Sequence, residues 1–119
     1  ARAKASADRV APKLRDQRDF SRIYRKGRAT RSGTLLVRAL PNHKPVTRVA
    51  VVVSKKVSKS AVRRNRLRRQ IAEAWREREG HIKVGFDVII TATADRESSP
   101  AQIETALRVA GLVNQEPKT

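Results

Sequence analysis

The fold is decided by residues 48–69, which read RVAVVVSKKVSKSAVRRNRLRR. The first part, 48–54, is β-branched and nearly all apolar, which predicts a strand at the centre of a sheet. The second part enters a helix that we predict over 60–78. Its buried face is formed by residues at helical spacing, namely Leu67, Ile71, Ala74 and Trp75. An apolar strand that leads directly into a strongly basic helix therefore lies at the middle of the domain.

Patterns on either side of this stretch predict the remaining elements. They are a helix over 16–26, strands over 34–40 and 86–92, and a last helix that begins at Ser99. The connection between strands 34–40 and 48–54 is short, which favours an antiparallel hairpin. The order of these elements predicts a small α+β domain with helices packed on a sheet.

Length and composition limit the class of protein. The chain has 119 residues, enough for one domain, and contains no cysteine. We divide it into a flexible basic arm (1–13), one domain (14–112) and a C-terminal tail (113–119). Without cysteine, disulfides and zinc–thiolate sites are excluded, and no apolar run has the roughly 20 residues of a membrane span. The first residues lack the apolar core of a secretory signal, so we expect a cytoplasmic protein.

The positive charge is concentrated in one part of the chain. The formal net charge is +17, from 28 Lys and Arg against 11 Asp and Glu. Residues 20–72 hold sixteen basic and no acidic residues, so all the others together contribute a net +1. Because this stretch includes predicted strands, the charge belongs to a folded surface. The expected partner is a polyanion, with nucleic acid first and an anionic membrane surface second.

The start of the long helix carries the highest density of charge, since eight of the fifteen residues 55–69 are basic. A helix N-terminus attracts phosphate, but its dipole disfavours cations in the first turn. Arg63 and Arg64 lie in that turn with no acidic residue close in sequence, which indicates an external anion. Arg66 and Arg69, with Asn65, point away from the apolar face and should be available. The alternative is a basic helix that is only solvated.

The same residues resemble the signature of a known family, the protein subunit of bacterial ribonuclease P. The similarity lies in Ser54-Lys55-Lys56-Val57, Ala61-Val62 and Arg64-Asn65-Arg66-Leu67-Arg68-Arg69, and in Asp19-Phe20, Tyr24 and Gly27 of the first helix. It covers about residues 14–110. The resemblance implies an αβββαβα fold with a mostly antiparallel sheet and a left-handed crossover. That fold has one strand more than the patterns predict, near Ala29–Gly33.

The resemblance also implies a function. Ribonuclease P is a ribonucleoprotein that removes the 5′ leader of precursor tRNA, with the active site and its Mg²⁺ on the RNA subunit and no organic cofactor. The expected partners are the catalytic RNA and precursor tRNA, with no membrane and no obligate protein partner. The residues that would contact the catalytic RNA are Arg64, Asn65, Arg66, Arg68 and Arg69, with Lys55, Lys56 and Lys59 beside them.

The implied leader site lies on the first helix and the facing strand. Its residues would be Phe20, Tyr24 and Arg38, where many family members carry an aromatic residue in place of Arg38. Aromatic side chains four residues apart on a helix are also typical of a core. We therefore expect Phe20 to be mainly structural and weigh both roles equally for Tyr24.

The polypeptide itself offers no evident set of paired carboxylates, paired histidines or metal ligands for RNA cleavage. His43 and His81 have no predicted partner, and Asp87 is a single strand carboxylate, more typical of a structural role. Two other functions remain to be considered. A structural ribosomal protein would share the small basic α+β character, and a protein-only nuclease would need acid and base groups that we do not find.

Overall fold

The computed structural model describes residue 14 and residues 16–114, so the predicted arm 1–13 and residues 115–119 lie outside the described residues. The elements in chain order are α1 (Gln17–Lys26), β1 (Arg28–Ser32), β2 (Leu35–Pro41), β3 (Arg48–Val53), α2 (Ala61–Glu77), a 3₁₀ turn (Glu79–His81), β4 (Phe86–Ala92) and α3 (Pro100–Val109). This order confirms the α+β class and the αβββαβα succession.

The four strands form one mixed sheet in the order β1-β2-β4-β3. The β1–β2 and β2–β4 pairs are antiparallel, whereas β3 and β4 are parallel and are joined by a crossover that contains α2. The predicted hairpin between β2 and β3 is wrong, because β4 pairs with both of them and lies between them. The prediction that the apolar strand 48–54 is central is wrong as well, since β3 is at the edge of the sheet.

The apolar character of β3 has a different cause, which is burial of both its faces. Val49 and Val51 pack against the main core, which α2 and α3 build on one face of the sheet. Ala50 and Val52 pack against a second cluster on the other face, where α1 contributes Ile23. An edge strand covered on two faces is as apolar as a central one.

The strand that the resemblance implies near Ala29–Gly33 is confirmed as β1. Its sequence, RATRS, is polar because it is an edge strand with mostly exposed or half-buried side chains. Gly33 turns the chain into β2 with a positive φ of 59°, a conformation that favours glycine.

The predicted helix starts are confirmed. The Asp16 carboxylate accepts a hydrogen bond from the Arg18 N–H, and the Ser60 hydroxyl accepts one from the Arg63 N–H. Ser99 and Gln102 form a reciprocal capping box at the start of α3. Gly27 follows α1 with a φ of −70°, which any residue can adopt. Glycine is needed there for lack of space, because a Cβ would lie 2.5 Å from the Ile23 carbonyl oxygen.

The chain stays attached to the domain after α3. Val113 forms an isolated antiparallel bridge with Ile82, and the Asn114 N–H donates to the His81 carbonyl over 2.7 Å. The first two residues of the segment predicted as a tail are therefore held by the 3₁₀ turn and by the residue that follows it.

Candidate nucleic-acid interface

The loop before α2 presents its lysines to solvent, while Arg64 holds the loop in shape. Lys55, Lys56 and Lys59 are exposed. The Arg64 guanidinium instead donates to the Ser58 carbonyl over 2.9 Å, in a partly buried contact. Arg64 thus belongs to the predicted binding segment, but one of its N–H groups is already used to fix the loop that carries the lysines.

Asn65, Arg68 and Arg69 form the open side of α2. The Arg68 guanidinium donates to the Asn65 side-chain oxygen, so these two side chains are oriented together. Asn65 and Arg69 are exposed and Arg68 is half-buried. Among the residues that the structure describes, Arg69 has no carboxylate partner. This flank therefore offers cationic and amide groups that can bind phosphate or hydroxyl oxygens.

The opposite flank of α2 is paired with an acidic loop. Arg63 Nε lies 2.6 Å from the Asp95 carboxylate, and Glu97 lies 3.2 Å from Arg63 Nη1 and 3.1 Å from Arg66 Nε. The expectation that Arg63 lacks a nearby acid is therefore wrong, because its partners follow about thirty positions later in the sequence. The Arg66 side chain is 68% exposed, in agreement with the prediction. The prediction that it is available is wrong, because it forms an ion pair with Glu97.

The acidic loop is itself fixed to α2. The Gln70 amide nitrogen donates to Glu97 over 3.4 Å, and the Gln70 amide oxygen accepts from the Ser98 N–H over 3.2 Å. Mainly because of its hydrogen bond with Asp95, the pKa of Arg63 is raised above its ordinary value. The charge of α2 is thus partly neutralised on one flank and open on the other.

A second surface lies on the sheet face beside α1. Tyr24 is 47% exposed, and the Arg38 guanidinium carbon lies 4.7 Å from the centre of its ring, a cation–π contact. Phe20 is half-buried and packs against the cluster that contains Leu14 and Ile89. The structure therefore brings Tyr24 and Arg38 together at the surface and gives Phe20 a largely structural environment.

The register adds residues to this face that the sequence analysis missed. Arg38 pairs with Ala29, and Leu36 pairs with Arg31, so side chains of these four residues point to the same side of the sheet. Arg31 is exposed and supplies a further cation next to the Tyr24–Arg38 pair. The alternation of side chains would have indicated Arg31 had β1 been predicted as a strand.

A buried carboxylate holds α1 against the sheet. Asp87 is fully buried on β4 and accepts hydrogen bonds from Arg48 (2.8 and 2.7 Å), Asn42 (2.9 Å) and Arg22 (3.1 Å). Asp19 on α1 also contacts Arg22 (2.8 Å) and Arg48 (3.3 Å). This network links α1 to β3 and β4, which confirms a structural role for Asp87.

Burial alone would raise the pKa of Asp87, but hydrogen bonds from Arg48 and Asn42 outweigh it and lower the pKa below its ordinary value. The carboxylate is therefore charged at neutral pH and pairs with both arginines. Its charge fixes the position of α1, and with it the position of Tyr24.

Comparison with known proteins identifies the family. The model of the family Ribonuclease P matches residues 10–111, nearly the whole described domain. This chain belongs to the ribonuclease P protein family. The ribonuclease P protein component of Alkaliphilus metalliredigens is 36% identical over 96 residues, which cover 80% of this chain and 86% of that protein. That of Coprothermobacter proteolyticus is 44% identical over 78 residues, covering 66% of this chain and 63% of that protein.

Solved structures agree with this assignment. The ribonuclease P protein of Staphylococcus aureus superposes with a TM-score of 0.76 at 30% identity, over 87% of this chain and 99% of that one. The chain is thus a ribonuclease P protein component of the bacterial type, with a fold shared by its relatives. These matches favour the ribonuclease P interpretation over the structural ribosomal protein.

Membership of the ribonuclease P protein family implies an RNA partner within a ribonucleoprotein. In residues 14 and 16–114, no group of three or more His, Cys, Asp or Glu side chains could hold a metal ion. Within the same residues, no helix is long and apolar enough to span a membrane.

Proposed function

We propose that this chain binds the catalytic RNA of ribonuclease P through α2 and the loop before it, and the 5′ leader of precursor tRNA through the sheet face beside α1. In this way it assists Mg²⁺-dependent removal of the leader in the cytoplasm. The observation that carries the proposal is the presence of two separate cationic surfaces, one on each side of the same sheet.

The α2 surface suits a structured RNA. Its exposed lysines and its open flank present charge to a phosphate backbone, and the Arg68–Asn65 pair can add directed hydrogen bonds. The helix N-terminus itself also favours phosphate, although Ser60 already accepts from one of its free N–H groups. These features support a contact between α2 and the RNA subunit.

The face beside α1 suits an unpaired strand. Unpaired bases bind proteins by stacking on aromatic rings and guanidinium planes. Tyr24 and Arg38 present one of each, in contact with one another, and Arg31 can meet the backbone phosphate. Arg38 thus provides a planar stacking group at the position where many family members have an aromatic ring.

The polypeptide would contribute by positioning the substrate and by screening phosphate repulsion. Held between two surfaces of one domain, the leader and the catalytic RNA are brought to a fixed relative position. Sixteen basic residues in 20–72 lower the repulsion between the two RNAs. The RNA subunit, with its bound Mg²⁺, would supply the chemistry of phosphodiester cleavage.

The leader contact is tested with two substrates, a precursor tRNA with a five-nucleotide leader and one with a single-nucleotide leader. In the reconstituted holoenzyme, Tyr24→Ala and Arg38→Ala should each weaken binding of the longer leader by about 1 kcal/mol, the lower end of the range for a stacked base. Tyr24→Phe, which keeps the ring, serves as the control. Equal weakening for both substrates would contradict a leader contact at this face.

The acidic loop gives a second prediction. Glu97→Gln removes the carboxylate shared by Arg63 and Arg66. The Arg66 guanidinium then becomes available to RNA phosphates, whereas Arg63 stays paired with Asp95. We expect affinity for ribonuclease P RNA to rise two- to five-fold and its dependence on salt to steepen, since surface pairs contribute up to about 1 kcal/mol. Filter binding over a range of salt concentrations measures both. An affinity that falls would show that Glu97 positions these arginines for RNA instead of competing with it.

A further inference from the structure

A groove runs between α2 and the outer edge of β3. Its volume is about 620 Å³. Val51, Ala72 and Trp75 give it an apolar lining. Arg68, Arg69 and Arg76 provide positive charge along the side formed by α2, and Glu79 adds one carboxylate to the lining. The resemblance to the family does not include Arg76, which lies two turns of helix beyond Arg69.

The arginine side chains of α2 that face this groove are available to an anionic ligand. Arg63 and Arg66 on the opposite flank are paired with Asp95 and Glu97. Within the described part of the chain, Arg69 and Arg76 have no carboxylate partner, and both are exposed. An anionic ligand that meets α2 therefore finds free guanidiniums along the groove.

The outer edge of β3 also borders the groove. β3 bonds to β4 on one side, and on the other side the Leu14 N–H donates to the Val49 carbonyl over 3.2 Å. Backbone groups of alternate residues in a strand point to the same edge, so those of Val51 point outward together with those of Val49. No other described residue bonds to the backbone groups of Val51.

The groove is continuous with the α2 surface. Asn65 at one side belongs to that surface, and Phe20 of α1 lines the other side. The Trp75 side chain is 3% exposed, and its indole N–H is buried with no acceptor among the described residues. Exposed guanidiniums and an apolar lining together match the phosphate and base surfaces of an unpaired nucleotide.

We propose that this groove binds an unpaired segment of RNA, with its phosphates on Arg68, Arg69 and Arg76 and a base against Val51 and Ala72. The inference rests on the proposed function, because it assigns one more RNA contact to the same α2 surface. It extends that surface by about two helical turns towards the C-terminal end of α2.

Trp75 is the one tryptophan of the sequence, so its fluorescence reports on the groove. The full chain is titrated with a hexauridylate, and the Trp75 emission is followed. Arg76→Ala should weaken the binding seen by Trp75 about three- to ten-fold and lower its salt slope by about 0.7, the value for one phosphate contact on a single strand. Arg96→Ala, which removes an exposed charge outside the groove, should leave both values unchanged.

The affinity of the same variants for ribonuclease P RNA separates the two proposals. If Arg69→Ala weakens that affinity while Arg76→Ala leaves the Trp75 titration unchanged, the groove proposal is wrong and the proposed function stands. If the chain binds hexauridylate with no change in Trp75 emission, the groove is likewise not an RNA site. A change in emission caused by an extended apolar peptide alone would assign the groove to strand pairing with a protein instead.

Discussion

Replacing Asp87 by asparagine is expected to lower the free energy of unfolding by about 3 to 5 kcal/mol, the range observed when one partner of a buried ion pair is removed. The Asp87 carboxylate has no exposed surface and receives four hydrogen bonds from three side chains. Asparagine keeps the shape but leaves Arg48 and Arg22 without the charge between them. Urea denaturation at pH 7 measures the difference.

The pH dependence of this effect has a definite sign. The pKa of Asp87 is lowered in the folded state, so the network stabilises fully above the unfolded value of about 3.9, and the contribution is lost as pH falls through the folded pKa. The gap between wild type and Asp87→Asn should therefore stay constant from pH 7 down to about pH 5 and narrow as the pH falls below about 4. The control is Asp95→Asn, which removes an exposed carboxylate and should cost at most about 1 kcal/mol. Equal losses for the two variants would show that the Asp87 network does not anchor α1.

Replacing Arg68 and Arg69 together by alanine is expected to weaken binding to ribonuclease P RNA at least ten-fold. The estimate assumes that each good contact contributes about 1 to 3 kcal/mol to binding. These two residues lie on the open flank of α2, away from Asp95 and Glu97. The slope of log affinity against log salt should flatten by about 1.5, because two phosphate contacts are lost. Filter binding at several salt concentrations measures both quantities.

The matched control removes the same charge at the other end of the sheet. Lys44 and Lys83 are exposed and lie in loops joined by the Thr47 hydroxyl and the Gly85 N–H, near the start of β3 and β4. Lys44→Ala with Lys83→Ala should change RNA affinity less than two-fold if the contact is local to α2. A similar loss in both double variants would indicate that only net charge matters.

The sequence predicted most elements because local signals set them. Ser99 caps the last helix at the predicted start and accepts from the Gln102 N–H, and Leu67 and Ile71 are buried at the predicted helical spacing. The failures concern contacts between distant segments. The nearly continuous apolar run of β3 reports that both faces of the strand are covered, and it carries no information about which strand lies alongside.

The state of the predicted binding residues also depends on contacts between segments that are distant in sequence. The basic run of α2 was evident in the sequence. Its division into a paired and an open flank depends on Asp95 and Glu97, which lie in the loop that follows β4. The use of Arg64 to hold the Ser58 carbonyl likewise depends on the path of the preceding loop. Arg31 was missed because a polar edge strand such as β1 has little hydrophobic signal.

The central claim is that this chain assists an RNA catalyst by binding it together with the leader. The most direct measurement reconstitutes the full chain with a bacterial ribonuclease P RNA and follows cleavage of a leader-bearing precursor tRNA at low Mg²⁺ concentration. Addition of the chain should raise the cleavage rate above that of the RNA alone and produce the mature 5′ end. An unchanged rate, with the chain folded and in excess, would contradict the account.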